Sequence, residues 1–377
     1  MLNRSLSAIA LASLIAITSH AAAQNPPKPK RKNETGAAAA ADKAPKSDSV
    51  RKAEKARTTH FFDSETPLTM SLTFNYKKLR GDRDATKSPW RAASLTITDS
   101  SGTDTIPIRI RTRGIWRLNH CDMPPMRIKF TNATIKNTAL KGLDEPKLIN
   151  YCKDFDDYEQ YTLSELQVNR VYNLLTPNSH KVRLIRMTYI DSVNNKPIAT
   201  HSAFIEEEPE VMASRIHGLI LKQKGAGPDD VEPNQSAMFG VFNYMIGNTD
   251  WAISVLHNAE LVSQDNGDLV PVTYDFDFSG AVNTRYAAPD PRLGIKIVRD
   301  RLFRGYCVPE DVFSKTFDIF KQKKDAIYAL YHDQIIGKLQ DPRVVDETLK
   351  YYDGFYDVIN DPRRAKGNID DACIGRR

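Results

Sequence analysis

The stretch of residues 246–280 constrains the fold and function of this chain most strongly. It contains Asp275 and Asp277 within an otherwise apolar segment, residues 269–278, that is predicted to be a strand. Successive strand residues point to opposite faces, so the two carboxylates share one face and the aromatic residues between them share the other. Burying two carboxylates is costly unless a cation or hydrogen-bond donors meet them. The stretch therefore predicts a binding site, which Asp250 and Asn258 are placed to join.

The rest of the chain divides into a strand-rich part and a helix-rich part. Period-two alternation predicts strands at residues 68–74, 93–98, 106–113, 126–130, 182–191 and 199–206. Apolar stripes at helical spacing predict helices at residues 158–175, 236–246, 312–335 and 343–359. One helix among strands, followed by a mainly helical second half, predicts an α+β fold with two lobes, residues 61–205 and 206–377.

The N-terminus has the order of a secretory signal: Arg4, an apolar run at residues 6–17, and small residues up to Ala23. We expect residues 1–23 to be a signal peptide and the Pro-, Lys- and Ala-rich residues 24–60 to be a disordered linker. Residues 24–57 hold ten Lys or Arg and four Asp or Glu, so the chain's net charge of +6 is concentrated in the linker. A nucleic-acid-binding fold carries its basic residues on the folded body, so this class is disfavoured.

Four cysteines bear on where the protein works. In an exported chain an even number of cysteines favours disulfides, and proximity in sequence favours Cys121–Cys152 and Cys307–Cys373. Buried free thiols are the alternative. The spacing is not that of a zinc site. We expect a periplasmic or extracellular protein without a transmembrane segment.

Several segments, in chain order, resemble the CotH-type (spore coat protein H-like) atypical kinases. They are Arg113-Gly114-Ile115-Trp116 with residues 125–130, Leu148-Ile149-Asn150-Tyr151 with the following helix, residues 200–206, and Asn248-Thr249-Asp250 with residues 274–280. The resemblance covers residues 107–285. It implies a two-lobed atypical protein-kinase-like fold, ATP as donor, Mg²⁺ or Mn²⁺ as cofactor, and a protein or carbohydrate acceptor.

The resemblance also implies roles for individual residues. Asp250 would orient or deprotonate the acceptor, and Lys129, with Glu165 as its partner, would meet phosphate. Arg113 would be a further residue of the nucleotide-binding site. Glu206 or Glu207 would lie near the adenine. The metal ligands would be Asp275, Asp277 and Asn258.

Alternatives remain open at the level of residues. Asp250 and Asn258 are eight positions apart, against about five in the kinase pattern, so Asp277 could replace Asn258 at the metal. Asp250 could cap the turn that follows it, Lys129 could face solvent, and Glu165 could lie on the surface of its helix. The alternative function is a non-catalytic binding or assembly protein of the cell surface.

Overall fold

The computed structural model describes residues 59–99 and 102–375. The predicted signal peptide and nearly all of the predicted linker lie outside these residues.

Seven strands form a closed barrel in the order β1-β2-β3-β4-β5-β7-β6. All neighbours in this order, from β1 through β7 to β6, pair antiparallel, and a parallel pair between β1 and β6 closes the barrel. The strands are β1 (Leu68–Phe74), β2 (Arg91–Asp99), β3 (Gly102–Thr112), β4 (Met126–Lys129), β5 (Lys147–Ile149), β6 (Val182–Asp191) and β7 (Lys196–Glu206).

The barrel core follows from alternation along each strand. Ile106, Ile108 and Ile110 of β3 are buried inside with Met126 and Ile128 of β4. The residues between them, Pro107, Arg109 and Arg127, lie on the outer face. Strands with such alternation form a sheet whose apolar face must be covered, and closure into a barrel covers it with the sheet itself.

The remaining elements form a small sheet and a set of helices. Three strands pair in the order β10-β9-β8: β8 (Gly218–Leu221), β9 (Ala259–Gln264) and β10 (Leu269–Thr273). The helices are α1 (Tyr76–Gly81), α2 (Trp116–His120), α3 (Asn132–Ile135), α4 (Asp156–Leu175), α5 (Pro209–Arg215), α6 (Pro233–Ile246), α7 (Glu310–Leu330), α8 (Pro342–Ile359) and α9 (Pro362–Ala365).

One large core joins this second group. It contains Tyr172 of α4, Phe242 of α6 and Phe276, with further buried side chains from α7 and α8. The rings of Tyr172 and Phe242 stack with centroids 4.3 Å apart, and Phe276 meets Phe242 edge-on at 5.6 Å. Phe276 is therefore an apolar anchor between Asp275 and Asp277.

The prediction of a two-lobed, protein-kinase-like fold with a strand-rich N-lobe and a helical C-lobe is wrong. The described chain contains a closed mixed barrel of seven strands, a smaller sheet and helices. Alternation reports which side chains share a face, but it does not report that β1 pairs with β6, more than a hundred residues away.

The predicted strand at residues 269–278 is also too long, because β10 ends at Thr273. Asp275 has a left-handed backbone (φ 65°), which breaks the extended conformation. The predicted helices at 158–175, 236–246 and 343–359 are confirmed within a few residues at their ends.

Both favoured disulfides are present, Cys121–Cys152 and Cys307–Cys373. Within residues 59–99 and 102–375, no helix is long and apolar enough to cross a membrane. The two disulfides are compatible with an exported protein.

Candidate functional site

The turn after α6 positions Asp250. The helix ends at Ile246. The next residue, Gly247, has a left-handed backbone (φ 65°) and packs so closely that a Cβ atom would lie 2.0 Å from the Tyr351 hydroxyl oxygen. Glycine is needed there both for conformation and for space. The Asn248 side chain then accepts a hydrogen bond from the Asp250 backbone N–H at 3.0 Å, which fixes the turn.

Asp250 is held by two neighbours from the following loop. The Asn258 side-chain amide donates to Asp250 Oδ2 at 3.1 Å and to the Asp250 backbone carbonyl at 2.8 Å. His257 Nε2 lies 2.8 Å from Asp250 Oδ1. The Asp250 side chain is 45% exposed, so it is positioned by its neighbours and still accessible to a ligand.

The segment after β10 brings two more carboxylates to the same place. Backbone N–H groups of Gly280 and Ala281 donate to the carbonyls of Gly247 and Ile246, which joins this segment to the end of α6. With Phe276 buried in the core, Asp275 and Asp277 flank it and lie beside the turn that carries Asp250.

These residues line a cavity of about 430 Å³. Its lining comprises Arg113, Gly114, Ile115, Trp116, Arg117, Pro125, Asp250, His257, Asn258, Asp275, Asp277 and Phe278. Five residues that the sequence analysis singled out, namely Arg113, Asp250, Asn258, Asp275 and Asp277, therefore meet in one cavity.

Two arginines face the carboxylates of the cavity. Burial lowers the pKa of Arg113, although the charges of Asp275 and Glu206 oppose the shift. Burial also disfavours the charge of Arg117, but nearby acidic groups, including Asp277 and Glu165, outweigh burial and raise its pKa. The Nε atoms of both arginines are buried without a hydrogen-bond partner. Unpartnered buried donors of this kind suit an anionic ligand.

The carboxyl groups of Asp277 and Glu165 both have raised pKa values. Burial, followed by the charge of Asp275, raises the pKa of Asp277 to about 7. Burial, followed by the charges of Asp277 and Asp275, raises the pKa of Glu165 well above its usual value. Asp277 also accepts a hydrogen bond from the Tyr286 hydroxyl at 3.0 Å. A cation bound in the cavity would favour the ionised form of Asp277.

Lys129 and Glu165 are not brought together as partners. Lys129 lies on the outer face of β4, where it forms an ion pair with Glu145 and meets the Trp90 ring at 5.4 Å. Glu165 is buried in α4 among Asp277, Asp275 and Arg117. Neither residue lines the cavity.

Glu206 and Glu207 are both buried in ion pairs. Glu206 pairs with Lys147, and Lys147 and His180 lower the pKa of Glu206 against the effect of its burial. Glu207 pairs with Arg215 at 2.8 Å and accepts a hydrogen bond from the Lys181 backbone N–H at 2.9 Å. The adenine contacts assigned to these two residues stay a prediction.

Sequence reasoning missed Arg117 and Lys147. Arg117 lies in the short helix α2, four residues after Arg113, and its side chain donates to the Asn150 carbonyl. Lys147 Nζ lies 4.2 Å from the centre of the ring of Tyr274, the residue that precedes Asp275. A signal was available for Lys147, because it directly precedes the Leu148-Ile149-Asn150-Tyr151 motif on an apolar strand.

Two further observations bear on the metal and on the family. Among the described residues, no group of three or more His, Cys, Asp or Glu side chains is arranged to hold a metal ion. No protein-family model matches the chain, and no curated protein matches it significantly. The motif resemblance therefore stays a prediction.

Proposed function

We propose that the cavity binds ATP with Mg²⁺ or Mn²⁺, and that the protein transfers the γ-phosphoryl group to a hydroxyl of a protein or carbohydrate acceptor. The observation that carries the proposal is the convergence of Arg113 and Arg117 with three aspartates in one cavity. Phosphoryl transfer needs cations on the phosphates, a carboxylate-bound metal and a carboxylate at the acceptor. The motif resemblance to CotH-type kinases supports the same reaction.

The donor set fits a hard divalent cation. Mg²⁺ is usually held by one or two carboxylates together with substrate phosphates, so a cage of three protein ligands is not required. Asp275 and Asp277 would supply the carboxylates, and Asn258 could supply an amide oxygen. When bound, the cation supplies positive charge that favours the ionised form of Asp277, whose pKa is raised to about 7 without it.

Arg113 and Arg117 would bind the phosphate oxygens. Their unpartnered Nε atoms lie next to the carboxylates that would hold the cation. A guanidinium matches phosphate in geometry and stays charged at neutral pH. The arginines would thus orient the phosphates.

Asp250 would act on the acceptor. Its carboxylate is fixed by Asn258 and His257 and remains half exposed in the cavity. A carboxylate in this position can accept the hydrogen bond of an acceptor hydroxyl and take its proton during transfer. We place this reaction in the periplasm or outside the cell, where the predicted signal peptide would deliver the protein.

Thermal unfolding with ATP and either Mg²⁺ or Mn²⁺ tests the site. Ligand at 100 times its dissociation constant adds about 2.7 kcal/mol to the free energy of unfolding. We expect the wild type to be stabilised and Asp275→Asn to lose most of the nucleotide-dependent shift. Asp318→Asn, a change in an exposed residue of α7, should keep it.

Two results would change the assignment. Absence of stabilisation with either metal contradicts the proposal. Stabilisation without transfer of labelled γ-phosphate to any of a panel of exported proteins and glycans favours a non-catalytic binding protein that uses the same cavity.

A further inference from the structure

Four cations form an array on the outer face of the barrel, which we call the basic strip. It consists of Arg109 and Arg111 on β3 and Arg127 and Lys129 on β4. Arg109 lies opposite Lys129, and Arg111 lies opposite Arg127. All four alternate with buried residues, so all four point outward.

The basic strip runs into the cavity along β3. Arg113 follows Arg109 and Arg111 at the same two-residue period, and its backbone N–H donates to the Pro125 carbonyl at 3.0 Å. Both Arg113 and Pro125 line the cavity. Burial is the main cause of the lowered pKa of Arg113, and the charges of Arg117 and Arg127 add to it, so these guanidinium groups lie within electrostatic range of one another. Positive charge therefore continues from the basic strip to the cavity, and a ligand bound on the strip can extend into the cavity.

Neighbouring side chains also hold the cations of the basic strip in place. Glu145 forms ion pairs with Lys129 and, at 3.9 Å, with Arg111. The Arg111 guanidinium lies 4.5 Å from the centre of the Trp90 ring, and Lys129 Nζ lies 5.4 Å from it. Contacts of this kind restrict long side chains before a ligand arrives, which reduces the entropy cost of binding.

We propose that the basic strip binds an extended acidic segment of a protein acceptor and so directs the hydroxyl near that segment into the cavity. The role as acceptor rests on the function proposed above, whereas binding to the strip does not. Side chains on one face of an extended peptide recur about every 6.6 Å, the same interval that separates Arg109 and Arg111 along β3. Alternating carboxylates would therefore match the arginines one by one.

The contacts of Trp90 favour a peptide over a nucleic acid. Single-stranded nucleic acids depend on bases stacked on aromatic rings. Two cations already engage the Trp90 ring, so a base or a sugar would have to compete with them for contact with it. An acidic peptide needs only the outward-facing charges.

Fluorescence anisotropy with a labelled peptide of alternating glutamate and serine tests the proposal. We expect the wild-type protein to bind it in low salt and to release it as salt rises. The double variant Arg109→Glu/Arg111→Glu should bind at least about tenfold more weakly, equivalent to about 1.4 kcal/mol. Arg343→Glu reverses a charge that is 87% exposed at the start of α8 and should bind like the wild type.

The outcomes separate the strip from the cavity. Because Arg109 and Arg111 do not line the cavity, the double variant should keep its stabilisation by ATP and metal. No binding by the wild type, or equal binding by all three proteins, overturns the proposal. Binding of heparin at the strip without binding of the peptide also overturns it and assigns the strip to an anionic glycan. If the peptide binds at the strip but nucleotide has no effect on stability, the strip is supported as a peptide-binding surface and the proposed function is contradicted.

Discussion

Arg117 is the residue on which the electrostatics of the cavity depend. It is close enough to Asp277, Glu165 and Asp275 for their charges to raise its pKa despite its burial. Removing one partner from a buried set of charges leaves the others uncompensated, which typically costs 3–5 kcal/mol. The guanidinium thus stabilises the fold as well as preparing the cavity for phosphate.

We therefore expect Arg117→Met to lower the free energy of unfolding by about 3 kcal/mol, measured by urea titration at neutral pH. Arg111→Met is the matched control, because Arg111 lies in the half-exposed basic strip and should cost about 1 kcal/mol or less. Equal effects of the two changes would contradict the electrostatic role of Arg117.

His201 predicts a pH dependence that is independent of the cavity. Its ring nitrogens lie 2.7 Å from Glu159 and 2.6 Å from Asp154. Burial lowers the pKa of His201, but these two hydrogen bonds outweigh burial and raise it above the usual value. A raised pKa means that the folded state binds the proton more tightly, so the stabilisation is complete below the unfolded pKa and is lost as pH rises through the folded pKa.

His201→Gln should therefore destabilise the protein more at about pH 6 than at about pH 9, on either side of the range where a histidine with a raised pKa titrates. Urea unfolding of both proteins at the two pH values measures the difference. A difference that grows with pH would show that His201 is neutral in the folded state.

At the residue scale, the sequence predicted part of the site. Asp275 and Asp277 are predicted because they interrupt an apolar segment, and Asp250 and Asn258 because they lie near that segment in sequence. Arg113 is predicted through the motif resemblance. All five residues line one cavity. Lys129 belongs to an alternating strand, and alternation cannot say whether its outer face meets solvent or a ligand. Glu165 and Arg117 depend on packing between distant elements, which has no local signal.

At the scale of elements, the short helix α2 depends on a disulfide. Cys121 directly follows this helix, which carries Trp116 and Arg117, and its bond to Cys152 joins the helix to the segment before α4. The Asp122 backbone N–H also donates to the Cys152 carbonyl at 2.9 Å. The Cys307–Cys373 disulfide holds no residue of the cavity lining and serves as a comparison.

Replacing either cysteine pair with serine should cost about 4 kcal/mol of stability, since the bonds close loops of 31 and 66 residues and the cost rises only slowly with loop length. Nucleotide affinity should fall only in Cys121→Ser/Cys152→Ser. Calorimetric titration of ATP with Mn²⁺ into the two folded variants checks this. An equal loss of affinity would show that the first disulfide has no special relation to the cavity.

Element boundaries show where alternation fails. Residues 274–278 alternate like a strand, yet β10 ends at Thr273 because Phe276 turns into the helical core and Asp275 adopts a left-handed backbone. The same turn places both aspartates beside Asp250. The candidate site thus coincides with a segment whose alternating sequence does not match its backbone conformation. Proteins often depart from local sequence–structure rules at functional sites.

For the whole molecule, barrel closure is the feature that the sequence did not predict. Every strand of the barrel before residue 206 was predicted except β5, which is only three residues long. The pairing of β1 with both β2 and β6 was not predicted, because the choice of partner strand leaves no periodic signal in the sequence.

Closure can be tested by hydrogen exchange. Residues 69–74 of β1 pair with β2 on one side and with β6 on the other. Successive N–H groups of a strand point to opposite sides, so consecutive amides in β1 should be protected. Protection of alternate amides only, measured by NMR, would indicate an open edge instead of a closed barrel.

The most direct test of the central claim is a crystal structure with Mn²⁺ and a non-hydrolysable ATP analogue. We predict an anomalous manganese peak in contact with the Asp275 carboxylate, and phosphate oxygens within hydrogen-bonding distance of Arg113 and Arg117. A nucleotide in another cavity, such as the one of about 260 Å³ lined by Arg170 and Arg183, would contradict the assignment. So would a manganese ion bound away from Asp275 and Asp277.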